Sequence, residues 1–414
     1  MIQYIFSSLF FFFLVIFAYI KIRYPFWNNQ PVFHTYDYWR YFYSIPYIIY
    51  KYRPVKTKYC DFHQVETINF NECSQSIKTK LINLLQCYYI PSEKILHIIT
   101  ENEIETLLTG TSEPCYVSLF FEKVVQNMGE HGTQIISNPE PSGCITSRPY
   151  KMFYRPTLTE SVYTHELTYF MDYLCIRRER DIKKLNRVLL QTHEYNQRRN
   201  NPNILISLIK KEIDLFEGVV PLVKYNSIVY YIPIIKQSKL PTDCLIIKID
   251  HTNISILTDF LYNLTHNTYE NSNDMFDLCI LQDTAYYLSQ IKTGMLHVYC
   301  LQFKSHTYGV YVFKNTYTEY EDIEGNMLMF SSSIKNISDN NVFYSGFLNS
   351  IYQILKENKR YKMIMVENIG HNSYILPLWN IYNTPVFNNN TAYYIYNFIY
   401  PSSPLIPEKS LLIV

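Results

Sequence analysis

The sequence predicts an α+β protein of two lobes that share one order of elements, preceded by an N-terminal transmembrane helix. Three observations carry this. Tyr4 to Ile20, YIFSSLFFFFLVIFAYI, runs for 17 residues without a charge, near the short end of what spans a bilayer as a helix. From about residue 68 the pattern reads helix, helix, strands, then a strand running straight into a charged helix. Near residue 244 the pattern starts afresh, without obvious sequence repetition.

The apolar run has no basic segment before it and no small-residue cleavage site, which favours an uncleaved anchor over residues 1–21 rather than a secretory signal. A buried helix of a soluble domain is the alternative. Lys21, Arg23, Arg40, Lys51 and Arg53 all follow it. That bias gives a single-pass membrane protein with its body in the cytoplasm. Residues 22–67 form an arm or linker: YPFWNNQPVFH opens it, and Pro46 and Pro54 break any helix in its tyrosine-rich remainder.

A first lobe, 68–240, begins with IKTKLINLLQCYYI, where Ile77, Leu81, Leu84, Leu85 and Tyr88 share one helical face. TENEIETLL opens with a capping box at Thr100 and Glu103. CYVSLFF (115–121), GCITSRPYKMFY (143–154) and ELTYFMDYLCI (166–176) read as strands, the last leading into RRERDIKKLNRVLLQTHEYNQRR. SIVYYIPII and CLIIKID read as further short strands. The second lobe, 241–414, repeats the order: NISILTDFLYNLTHNTY as helix, MLHVYCLQF, GVYVFKNTY and NMLMFSSSI as strands. VFYSGFLNSIYQILKENK follows as a helix with Phe343, Phe347, Ile351 and Leu355 four apart, and KMIMVEN and TAYYIYNFIY complete the lobe.

Lys and Arg number 37 and Asp and Glu 36, so no global field attracts nucleic acid and an anion site must be a local cluster. Nine cysteines stand without a CxxC pair or zinc-like spacing, which reads as reduced, mostly buried thiols and no metal site. Sequons at Asn253, Asn263, Asn336 and Asn389 are expected by chance in so Asn-rich a chain. No HExxH, GxGxxG or P-loop is present, Ser331 to Ser333 lack the glycine flanks of a nucleophile elbow, and His131 reads as a loop residue.

The strongest local signal is DYLCIRRERDIKKLNRVLL. Six cations, Arg177, Arg178, Arg180, Lys183, Lys184 and Arg187, fall within eleven residues of the end of an extended segment. A helix starting near Asp181 offers unpaired N–H groups and a dipole that favour a phosphate. The same residues also suit a solvated basic face on which Glu179 and Asp181 pair with the cations.

Four segments in order resemble the protein N-myristoyltransferase family. YPFWNNQPV resembles its FW-x-x-QPV segment, GCITSRPYKMFY its GFIS-x-IP strand, YLCIRRERDIKKLNRVL its FLCV followed by a basic helix start, and YYIYNFIYPSSPLIPEKSLLIV its YYLYN segment and final apolar strand. The resemblance covers about Tyr24 to Val414. It implies two acetyltransferase-like (GNAT) lobes in a pseudo-twofold arrangement, the first binding acyl-CoA and the second the peptide. It also implies transfer of a long acyl chain from myristoyl-CoA, a co-substrate rather than a resident cofactor, to the N-terminal glycine of a protein.

By the same resemblance, the backbone amides of Tyr173 and Leu174 form an oxyanion hole and the terminal carboxylate of Val414 is the base. Pro25, Phe26, Trp27, Cys175, Ile176, Ile182, Lys183, Lys184, Leu185 and Asn186 line the acyl-CoA site, with Cys175 contributing packing rather than a nucleophile. The roles are physically coherent. Backbone donors work whatever the side chain, and an N-terminal amine, mostly protonated at pH 7, must lose a proton before attacking a thioester.

Departures from the family pattern bear on the peptide side. FNNNTA (387–392) stands where the family has a glycine-rich turn, which the asparagines, tolerant of positive φ, are expected to keep; Asp172 stands where the family has Asn, and Ile182, Asn186 and Arg187 replace Ser, Ala and Pro. PLVKYNSIVYY is the only counterpart to the peptide-channel segment. Two other readings follow: a degenerate relative that binds acyl-CoA or serves as a structural membrane protein, and an acyltransferase with another amine acceptor.

Overall fold

The computed structural model describes residues 2–43, 45–90, 92, 94–127, 133–157, 160, 162–178, 180–266 and 276–414. His131 and Glu179 lie outside the described residues. Helix α1 (Ile2–Arg23) extends two residues past the expected limit at Lys21 and is long and apolar enough to cross a membrane, with none of its apolar window buried against the body. The short strand β1 (Tyr47–Ile48) follows in the arm.

The body then runs β2 (Val65–Asn69), α2 (Gln75–Tyr88), β3 (Ile95–His97), α3 (Glu101–Leu108), β4 (Tyr116–Asn127), β5 (Thr133–Tyr154), β6 (Thr164–Ile176), α4 (Ile182–Asn200), β7 (Ile206–Glu212) and β8 (Val223–Tyr231). It repeats as β9 (Cys244–Lys248), α5 (Ile254–His266), β10 (Leu278–Leu281), α6 (Thr284–Lys292), β11 (Leu296–Phe303), β12 (His306–Tyr320), β13 (Gly325–Lys335), α7 (Asn340–Glu357) and β14 (Tyr361–Glu367). After an added helix α8 (Asn372–Asn380) comes β15 (Phe387–Tyr396). The tail adds β16 (Phe398–Ile399) and β17 (Ser410–Leu412).

The pairing repeats as well as the order. In the first half β2–β4–β5–β6 are antiparallel neighbours and β6 lies parallel to β7 across the α4 crossover. In the second half β9–β11–β12–β13 and parallel β14, across α7, do the same. The halves exchange strands: β15 pairs with β7, β8 with β14, and β8 with β15. Likewise β3 pairs with β12 and β10 with β5. The result is one continuous sheet with a pseudo-twofold between β8 and β15, because each lobe completes the other's edge and buries its unpaired backbone groups.

Local rules place the helices. The Ser74 hydroxyl caps α2, and Thr100 and Glu103 form the expected capping box on α3. Leu81, Leu84 and Leu85 of α2 pack with Leu107, Leu108 and Cys175, and Phe343, Phe347 and Ile351 of α7 are fully buried against Phe313, Phe330 and Trp379.

Two expectations need correction. The strand expected through Ile235 stops at Tyr231, since Pro233 lacks the N–H a ladder needs. Residues 387–392 form no turn: they begin β15 and pair with β8, and Asn397 after the strand takes the left-handed conformation instead, φ 64°.

Candidate functional site

The arm is bound to the body where YPFWNNQPVFH leaves α1. Phe26 is 4% exposed and shares a core cluster with Ile176, Leu185 and Leu189, against which Trp27 and Leu174 also pack. Trp27 lies 4.5 Å from the Phe216 ring, and the Tyr59 hydroxyl donates to the Pro25 carbonyl at 2.8 Å. The next turn fastens to β15: Gln30 accepts from the Tyr396 hydroxyl, Asn397 N–H donates to Pro31 O, and Val32 bridges Tyr396. Thus the QPV and YYIYN segments, more than 360 residues apart, touch each other.

Strand β6 carries a bulge at the expected donors. Cys144 faces Cys175 and Thr146 faces Asp172, leaving Ile145 opposite both Tyr173 and Leu174. Tyr173 sits at φ 52°, a conformation that costs a bulky residue about 1–2 kcal/mol, and such strain collects at functional sites. Gly143 permits the approach behind the bulge: a Cβ there would lie 2.8 Å from Leu189 Cδ1 and 3.1 Å from the Cys175 carbonyl. The Tyr173 N–H already donates to Asp172 Oδ1 at 2.8 Å, while Asp172 Oδ2 accepts from the buried Arg148 at 2.8 Å. Cys175 is buried, its thiol donating to Leu84 O at 3.6 Å.

At the start of α4, Asp181 caps the helix by accepting from the Lys184 N–H at 3.0 Å, so one first-turn donor is already satisfied. Three of the six cations have partners. Arg177 lies over the Tyr88 ring and near Glu140, Arg178 donates to the carbonyls of Ile90 and Ser92, and Arg180 pairs with Glu122 at 2.8 Å. Lys183, Lys184 and Arg187 have no ion pair among the described residues, and Ile182, Lys183 and Lys184 are exposed where Leu185 turns inward and Asn186 is half-buried.

Val414 is 7% exposed, and β17 brings it into one core cluster with Tyr150, Phe170, Tyr286 and Tyr393. Its main-chain oxygen accepts a hydrogen bond from Lys314 Nζ on β12. Desolvation, and then the charge of Arg148, pull the Lys314 ammonium down to about 7. Asp172, Glu367 and Lys210 act on the same group. Lys210 bridges Glu212 and Glu367, and Glu367 also accepts from the Tyr225 hydroxyl at 3.1 Å. Charges from both lobes therefore meet at their junction.

The structure thus brings Phe26, Trp27, Leu174, Ile176 and Leu185 together, sets Tyr173 and Cys175 toward the opposite core, and leaves Ile182, Lys183 and Lys184 at the surface. Sequence reasoning missed Lys314, Arg148, Lys210 and Glu367. One signal was present: a lone Lys in the apolar run GVYVFKNTY, and a lone Arg within GCITSRPYKMFY.

Two lobes in one sheet, with a bulged strand feeding a basic helix, give this chain a fold shared with N-myristoyltransferase structures. Solved structures with this fold include those of Saccharomyces cerevisiae N-myristoyltransferase with bound myristoyl-CoA. One superposes at a TM-score of 0.65 and 11% identity over 91% of this chain and 93% of that one. A second gives 0.64 at 13% identity over 94% and 91%. A third, which also holds inhibitors, gives 0.65 at 12% identity over 95% of each chain. No protein-family model and no curated protein sequence matches the chain.

Proposed function

We propose that this protein is an acyl-CoA N-acyltransferase that moves a myristoyl or similar long acyl chain to the N-terminal glycine amine of a protein. The observation that carries the reading is the convergence of the distant arm, at Phe26 and Trp27, with Leu174 of the bulge and Leu185 at the start of α4. Lys183, Lys184 and Arg187 suit the phosphates of coenzyme A, while the arm and Ile176 suit its pantetheine and acyl chain. The first lobe takes acyl-CoA and the second the peptide, with α1 anchoring the enzyme in a membrane, body on the cytoplasmic side.

In the reaction the amine nitrogen attacks the thioester carbonyl, the C–N bond forms, the C–S bond breaks and the coenzyme A thiol leaves. The tetrahedral oxyanion is stabilised by the amides of Tyr173 and Leu174. One proton of the ammonium passes to the Val414 carboxylate to free the attacking lone pair, and a second, lost as the amide forms, goes to the departing sulfur, which leaves as the thiol. Lys314 tunes that base: protonated, it neutralises the carboxylate, and neutral, it leaves the carboxylate able to accept. The rate should therefore rise with pH as the Lys314 ammonium loses its proton, and Lys314→Met should move that acid limb to lower pH.

The test incubates the full chain in detergent with labelled myristoyl-CoA and glycine-initiated peptides. Labelled peptide with release of free thiol is expected, and extending the chain by one residue beyond Val414 should abolish transfer while acyl-CoA binding persists. Undiminished turnover in the extended chain would remove the carboxylate from the mechanism. A second reading, an acyl-CoA-binding protein without transfer, is favoured by one contact: the Tyr173 N–H is engaged by Asp172. Tight binding without labelled product in this assay would select it.

A further inference from the structure

Residues 36–60 are dense in aromatic side chains that the body does not cover. Trp39 and Phe42 are each 81% exposed and Tyr52 is 88% exposed, with Tyr38, Tyr43 and Ile45 also open. The single-turn helix at Tyr38–Phe42 buries no residue at all. Scattered exposed apolar residues need no explanation, but a contiguous group does.

This stretch is no loose tether, since its backbone is held by buried polar groups. Asn397 accepts from Tyr50 N–H at 2.8 Å and donates to Tyr50 O, and the buried Arg198 donates to the carbonyls of Tyr50 and Tyr52 at 3.1 and 3.2 Å. Tyr47 and Ile48 pair with β16, and the Phe33 and Tyr41 rings meet at 4.7 Å. A backbone fixed from behind with its aromatics facing outward is a presented surface.

Two further observations identify what covers it. Cations interleave the aromatics: Arg40, Lys51, Arg53, Lys56 and Lys58 stand against the single acid Asp37, which pairs with Arg40. The stretch also continues from α1, whose end is joined to the body rather than hinged. Tyr24 N–H and Asn28 N–H carry on the helical bonding, Arg23 pairs with Glu217 at 2.6 Å, and the Tyr24 ring stacks on Tyr36 at 5.8 Å. Amphipathic aromatics among Lys and Arg, beside a bare apolar helix, match the chemistry of a headgroup layer containing anionic lipid.

We infer that residues 38–53 form a second, interfacial membrane contact that seats Trp39 and Phe42 among anionic headgroups and holds the body in one orientation against the bilayer. The inference rests on α1 being a membrane anchor. Its consequence is that the arm at Pro25 to Trp27, directly after the anchor, is held close to the bilayer surface.

The chain has three tryptophans, of which Trp379 is 1% exposed and Trp27 half-buried, so the emission lost in Trp39→Phe reports on Trp39. The full chain is reconstituted into vesicles of phosphatidylcholine, with or without phosphatidylserine, carrying bromine near the top of the acyl chains. Loss of the Trp39 emission to bromolipid and its protection from aqueous iodide, both greater with phosphatidylserine and weaker in Lys51→Glu/Arg53→Glu, are expected. Trp39 quenched by iodide and indifferent to bromolipid, in a chain that resists alkaline carbonate, would overturn the contact and leave a protein partner for that face. Release of the chain by carbonate would instead refute the anchor, and the contact with it.

Discussion

Asp172 and Lys314 concentrate the chemistry of the junction, and each makes a distinct prediction. Asp172 holds the Tyr173 N–H and balances Arg148, whose side chain is only 4% exposed. Removing one partner of a buried pair costs about 3–5 kcal/mol, and because Asp172 keeps some solvent, Asp172→Asn should lower stability by the smaller figure, read as a shift in the urea midpoint. Lys314 lies near 7 in the folded protein and near 10.5 when unfolded. Between those values the unfolded chain binds more protons, so this group makes stability rise with pH. Buried thiols act in the opposite sense as pH nears about 8.5, but they do so in both proteins, so thermal melts from pH 7 to about 8 should show wild-type stability rising with pH relative to Lys314→Met. Asp172 was legible only as a departure from the family pattern and Lys314 only as a lone Lys in an apolar run. Lys314 and Val414 are 100 positions apart, and no local pattern reports a contact made by strand order.

At the scale of elements, the junction of β5, β6 and α4 is the tightest part of the candidate site. Gly143→Ala would press a methyl against Leu189 and the Cys175 carbonyl, and since a backbone oxygen cannot yield easily, a loss of about 1–3 kcal/mol is expected. Leu189→Ala, at a fully buried position, should cost about 2–5 kcal/mol. The double variant should lose less than the sum, because the new methyl partly fills the vacated space; additive losses in denaturant titration would contradict the contact. The exposed start of α4 should behave differently. Lys183→Ala/Lys184→Ala should leave stability within about 0.5 kcal/mol while weakening acyl-CoA binding in a salt-dependent way, measured by calorimetry at two ionic strengths. The long elements were readable from periodicity, but β7, β10, α6 and α8 were not read, and β15 was misread at 387–392, where pairing with β8 overrides the turn preference of three consecutive asparagines.

Across the whole molecule, burial holds His97, His297 and His371 down at about 4 and His193 at about 3. Unfolded histidines titrate near 6.5, so between pH 6.5 and 4 the unfolded chain binds more protons and stability must fall as pH falls. Glu194, raised to about 7 mainly by burial, acts in the opposite sense over part of that range, but one group is outweighed by four. Melting temperature should therefore drop steadily below pH 6.5, and a flat profile down to pH 5 would contradict the burial of these rings.

Features that depend on neighbours along the chain were readable before any fold was known. These are the apolar span, the helical faces of α2 and α7, the capping box of α3, the strand leading into α4, and the repeated order that makes two lobes. Short-range periodicity encodes each of these because a helix or strand buries the same face wherever it lies. Tertiary structure alone decided the exchange of β8 and β15 between lobes, the seating of QPV on the end of β15, and the pairing of Lys314 with Val414. Those contacts join residues whose separation is bridged only when the sheet closes, and their energies come from desolvation and charge at a junction that no single segment contains.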